Sequence, residues 1–190
     1  MKKLIILLLA SSSLSFADTK EEIAQIRKQY NKIESAKDLE ITKILTKEDA
    51  APNLGIITRF TNSAGILVKQ TIEWGGDHGG VSRTAYFLNG EIFFIYSSMS
   101  SWQFDPSSDP DSPSTIETLR EERHYFSNDT CIRALEKEAS SKDYKEALKQ
   151  LKAQSNKEMN DMESAEAHLK EAYTMLKIQD HKELEEYMAL

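Results

Sequence analysis

The dipeptide Asn89-Gly90 is the strongest local constraint in this chain. Both central residues of the tightest hairpin turns need positive φ, which Asn and Gly accept at least cost. The segments on either side, 81–88 and from Glu91 onward, carry the branched and aromatic residues of a β-pair. Counting outward from the turn, Phe87 faces Ile92, Ala85 faces Phe94 and Arg83 faces Tyr96. The run Gly75-Gly76-Asp77-His78-Gly79-Gly80 joins residues 66–74 to 81–88 as a wide hairpin connection. The same parity puts Ile66, Val68, Ile72 and Trp74 on the apolar side. Lys69, Thr71, Glu73, Ser82, Thr84 and Glu91 take the opposite side, interrupted by Tyr86, Phe93 and Ile95.

Further strands are expected around this core. Residues 56–61 precede the turn-forming Asn62-Ser63-Ala64-Gly65, and 117–126 pair with 130–135 around Asn128-Asp129. The charges of Arg120, Glu121, Glu122 and Arg123 also suit a helix, but His124-Tyr125-Phe126 runs straight into the turn signal, which favours a strand. Residues 39–45 are apolar and fit either a short helix or a strand.

The flanks are helical. Asp18 with Glu21 forms a capping-box-like start, and Ile23, Ile26, Tyr30 and Ile33 share one face of a helix ending near Ala36. From Ser141 onward there is no proline or glycine, and Tyr144, Leu148, Leu151, Met159, Met162, Leu169, Tyr173 and Leu176 follow helical spacing. Unbroken, this segment is one long helix through Lys177; a bend near Gln154-Ser155-Asn156 instead gives two packed helices, and Asp180 with Glu183 caps another. The fold class is α+β: an N-terminal helix, an antiparallel sheet of four to six strands and a C-terminal helical hairpin or bundle. One sheet face must pack on helix, since its apolar residues form a patch too large to leave in water.

The first 17 residues read as an export leader. Lys2 and Lys3 precede an apolar run, and Ser15-Phe16-Ala17 offers small residues at both recognition positions. The run is shorter than the ~20 residues a membrane-spanning helix needs. The organisation is therefore 1–17 leader, 18–140 sheet domain and 141–190 helical segment, with the bacterial periplasm or medium as destination and no membrane span after cleavage. In that oxidising compartment the one cysteine, Cys131, has no intramolecular partner and reads as a small apolar side chain.

Function is less legible. A net charge of −7 argues against non-specific nucleic-acid binding, which depends on displacing phosphate counterions with cations. Asp77 and His78 in the glycine run are two potential ligands without a third, so no metal site is assigned there. Asp105, Asp109 and Asp111 lie in the proline-bearing segment 97–115 but lack the glycine and terminal glutamate of a calcium loop; a solvated connection is preferred. Trp102 and Phe104 share the parity of Ile92, Phe94 and Tyr96, and either extend an apolar face or offer aromatic contact to a partner. Arg83 and Gln70 interrupt the apolar side. They mark either an anion pocket between sheet and helix or, preferred, an arginine whose stem packs under Tyr96 while its head reaches water. His124, His168 and His181 lack a nucleophile motif, and His168 and His181 are expected on exposed helix surface. Asn128-Asp129-Thr130 is a glycosylation sequon, relevant only to a eukaryotic secretory route.

The sequence thus points to an exported, non-enzymatic binding or interaction protein. Its candidate binding residues are Trp102, Phe104, Asp77, His78 and Arg83, with no catalytic residues, cofactor or metal assigned. A protein partner or self-association through the C-terminal helices is the expected interaction. The competing reading is a secreted hydrolase or small-ligand enzyme whose groups meet only in three dimensions.

Overall fold

The computed structural model describes residues 12–46, 54–159 and 162–189. Residues 1–11 of the expected leader lie outside them. Helix α1 (Ser12–Ser35) is followed by strands β1 (Glu40–Leu45), β2 (Leu54–Thr61), β3 (Leu67–Gly76), β4 (Gly79–Leu88), β5 (Glu91–Phe104), β6 (Thr115–Ser127) and β7 (Thr130–Ser141). Helix α2 (Tyr144–Ala153), strand β8 (Lys157–Glu158), and helices α3 (Met162–Met175) and α4 (His181–Met188) complete the chain. The strands form one antiparallel eight-stranded sheet in the order β1 to β8, each beside its successor.

The sheet exceeds the expected four to six strands for local reasons. Only Ile44 of β1 is buried, so this edge strand shows no clean alternation in sequence. β8 is two residues long and follows the helix break at Gln154, where it pairs Glu158 with Leu135. β5 also runs on through Ser98, Ser100 and Ser101 to Phe104, which shortens the expected 97–115 connection. Helix α1 continues back through Asp18, which therefore does not start it. The later cap is as expected: the Glu183 amide donates to Asp180 Oδ1 at 3.0 Å.

The turns anchor the meander. Asn89 and Gly90 hold positive φ, as do Asn128 and Asp129. A bulge follows each of these turns, between Tyr86 and Phe87 and between Tyr125 and Phe126. One extra residue inverts the alternation beyond it. Phe87 does face Ile92, but Ala85 faces Ile95 rather than Phe94, and Arg83 faces Ser97 rather than Tyr96. A third bulge at Phe60/Thr61 leaves Ile66 exposed and puts Leu67 at the core. The glycine run is not a wide loop either. Gly76 pairs with Gly79 across a two-residue turn of Asp77 and His78. Gly79 has φ +146°, and a Cβ there would sit 2.0 Å from the Ser100 carbonyl, so only glycine fits this approach.

Both faces of the sheet carry helices. On one, α3, α4 and the link between them cover Ile57, Ile72, Ala85, Ile92, Ile95 and Phe126 with Ala165, Ala172, Met175, Ile178 and Leu184. Arg59 fixes this layer by donating from Nη2 to the carbonyls of Met175 at 2.8 Å and Ile178 at 2.6 Å, where the end of α3 leaves acceptors unpaired. On the other face, α1 lays Ile23 and Ile26 on Tyr86, Phe93, Phe94, Tyr125 and Leu135, while α2 packs Ala147 and Leu151 on Leu119 and Ala139. The apolar stripes of the C-terminal helices are thus turned onto the chain's own sheet. Among the described residues, no helix is long and apolar enough to cross a membrane.

Candidate functional site

Residues paired across antiparallel strands share a face, so the register places each candidate. Four of the five sequence-derived site residues meet at one end of the sheet. The Trp102 indole N–H donates to the Asp77 carbonyl at 2.9 Å, and its ring lies 4.4 Å from that of His78. Phe104 meets Trp102 edge-on at 5.5 Å and is 61% exposed. Trp102 therefore buttresses the tight β3–β4 turn, leaving Phe104 at the rim.

Arg83 is elsewhere. It belongs to the row Ile57, Ile72, Arg83, Ser97, Glu122, Glu136, which crosses β2 to β7 beneath the α3 side. Its head does not reach water under Tyr96. Instead it is buried, pairs with Glu171 of α3, and donates from Nε to Ser97 Oγ at 3.0 Å. The bulge explains the correction, since the shift by one residue moved Tyr96 to the opposite face. Burial lowers the Arg83 pKa to about 10, while Glu122 opposes the shift, so the group stays charged at neutral pH. The neighbouring row runs Arg59, Gln70, Ala85, Ile95, His124, Ala134. Gln70 accepts from Arg59 Nε at 3.1 Å and is fully buried, so it is structural wiring rather than the wall of an open pocket.

These two rows assemble a buried polar cluster that single-residue reasoning did not foresee. Glu122 and His124, two apart on β6, point to the same face, and His168 of α3 lies over them. The imidazoles of His124 and His168 meet edge-on at 5.0 Å. Arg120 bridges Glu122 Oε1 at 2.9 Å and Glu136 at 2.8 Å, and His168 Nδ1 sits 3.7 Å from Glu122 Oε2. His168 is not the exposed helix residue expected, its side chain being 14% accessible. Burial, with Arg83, His124 and Arg120 nearby, depresses its pKa to about 3, which keeps the ring neutral. The available signal was the spacing Glu122-x-His124 on a strand. Glu121, next to Glu122 on β6, faces the opposite way.

The open side of the sheet presents a different site. Between α1 and the strands lies a cleft of about 490 Å³. Its aromatic walls are Tyr30, Phe94, Tyr96 and Tyr125, and its charged groups are Arg27, Glu121, Arg123 and Lys137. Arg123 stacks over Tyr96 at 5.1 Å and bonds Glu121 Oε2 at 2.7 Å and Asn156 Oδ1 at 2.8 Å. Lys137 reaches the same carboxylate oxygen at 3.2 Å, and Arg27 lies 6.0 Å over the Tyr125 ring. Burial alone would raise the Glu121 pKa, but hydrogen bonds from Arg123 and Lys137 outweigh it and hold the group below its ordinary value. Burial and then the charge of Glu121 push Tyr96 up to about 12, so its hydroxyl stays a neutral donor. Three cations around one carboxylate leave this cleft positive within an acidic chain. None of its charged residues was singled out as a ligand contact beforehand, because they come from α1, β6 and β7 and converge only through the register.

Cys131 is half-buried beside the Phe87–Phe126 core, and burial raises its thiol pKa. Comparison with protein-family models, curated proteins and solved structures finds no match.

Proposed function

We propose that this chain is an exported, non-enzymatic binding protein. Its ligand is a small organic anion with an apolar or aromatic body, held in the cleft between α1 and the sheet. The observation that carries this reading is the convergence of Arg27, Arg123 and Lys137 on a cleft walled by aromatic rings, with one carboxylate among them. A planar guanidinium already stacked on Tyr96 is oriented for a ligand carboxylate or sulfonate, and Arg27 and Lys137 add positive charge beside it. The cleft volume is in the range that takes small molecules. Export rests on the leader-like first 17 residues. Leu151, Met175 and Leu184 are buried on the chain's own sheet, so recognition is assigned to the cleft rather than to the helical tail.

Anilinonaphthalene sulfonate, an anionic aromatic fluorophore, is a direct probe. Saturable binding is expected, displaced by phenylpropionate and not by phenethylamine, and weakened roughly tenfold or more by Arg123→Gln through loss of a charge-assisted contact. Equal displacement by the anionic and cationic competitors, or binding unchanged in Arg123→Gln, overturns the proposal.

A further inference from the structure

A second site, on the sealed face, stands apart from the anion cleft. We infer that Glu122, His124 and His168 form a binding site for one divalent transition-metal ion of the Zn(II) type.

The donor set comes from two rigid elements. β6 supplies Glu122 and His124 at positions i and i+2 on one face, and α3 supplies His168 from above. One ligating atom from each lies within 4.8 Å of the others, so a point exists no more than about 2.8 Å from all three. Metal–nitrogen and metal–oxygen bonds to Zn(II) are about 2.0–2.2 Å, and small side-chain rotations close that gap. Two imidazoles and one carboxylate are a donor set that suits borderline divalent ions, and three protein ligands leave a further coordination position.

The surroundings favour an ion here over a second ion pair. Arg120 engages Glu122 through Oε1, and Oε2 lies 3.7 Å from His168 Nδ1. Arg83 is committed to Glu171 and Ser97. The two arginines face three carboxylates in this network, Glu122, Glu136 and Glu171, so the cluster has a negative excess before any ion enters. His168 Nδ1 is buried and makes no hydrogen bond. A buried imidazole nitrogen in that state has lost its water without a replacement, which a metal bond would supply.

The test uses the full chain without a histidine tag, titrated with Co(II) and with Zn(II). One equivalent of Co(II) should bind with visible ligand-field bands, and Zn(II) should displace it. His168→Asn, on the helix rather than in the sheet, should abolish those bands and weaken binding by at least about tenfold, as Glu122→Gln should. His78→Gln, on the exposed β3–β4 turn, should leave both unchanged. Absence of saturable Co(II) binding to the unsubstituted protein overturns the inference, whatever the variants do. Bands that persist in a folded His168→Asn protein, or that vanish in His78→Gln, overturn it equally. Anilinonaphthalene sulfonate binding in the same samples reports on the cleft separately.

Discussion

The two faces of this sheet solve the same problem in opposite ways. Each carries charged residues in the middle of its strands. On the α3 side, Arg83, Glu122 and His124 are buried beneath helices, Arg83 pairing with Glu171 and Glu122 with Arg120. On the α1 side, Arg123, Glu121 and Lys137 sit between α1 and α2, which leave a gap, and their charge is only partly balanced. Charges sealed beneath helices leave no room for an organic ligand, whereas an accessible, unbalanced cluster beside aromatic walls makes a place for one. Coverage by helix, more than residue type, separates the two.

That contrast predicts unequal responses to equivalent substitutions. Arg83→Met should be the most damaging, costing about 3–5 kcal/mol, because it strands the Glu171 carboxylate in a desolvated layer. Denaturant unfolding measures it, and a cost below about 1 kcal/mol would mean that the α3 layer is open to water. Arg123→Gln leaves its partner Glu121 still paired with Lys137, and should cost less, about 1 kcal/mol in the same experiment, despite its effect on ligand binding. A large loss there would make the cleft a structural core.

The smallest effect belongs to neither face. Asp105, at the end of β5, accepts from the Lys142 ammonium at 2.6 Å and from the Ser107 hydroxyl and amide, which hold its pKa well below the ordinary carboxylate value. A depressed folded-state pKa contributes stability above the unfolded value near ~3.9 and loses it as pH falls toward the folded one. Asp105→Asn should therefore flatten the acid limb of the stability profile below about pH 4. A profile unchanged by the substitution would show that Lys142 gives no support there.

The sequence exposed the turns and the helical stripes because both depend on nearest neighbours. Asn89-Gly90, Asn128-Asp129 and the Asp180–Glu183 cap are local chemistry, and each stands where expected. Face assignment failed at Tyr86/Phe87 because a single bulged residue reverses everything beyond it, and nothing in Phe93 itself announces the insertion. That same shift hid the partners of Arg83 and the way Tyr96 comes to lie beside Arg123. Asp77 with His78 and Trp102 with Phe104 stood out separately in the sequence, and only the β4–β5 pairing of Gly79 with Ser101 sets the two pairs side by side. The cleft and the His124–His168 pair stayed hidden because each joins a strand to a helix far away in the chain.

The strand order has a kinetic consequence. Where every strand lies beside its successor, pairing can spread from hairpin to hairpin without first closing a long loop, and such topologies search quickly. The contacts of α3 and α4 with the sheet are the ones that close long loops. The Arg83 row loses its water only when α3 docks over it, so shielding these charges waits on a contact between segments far apart in the chain.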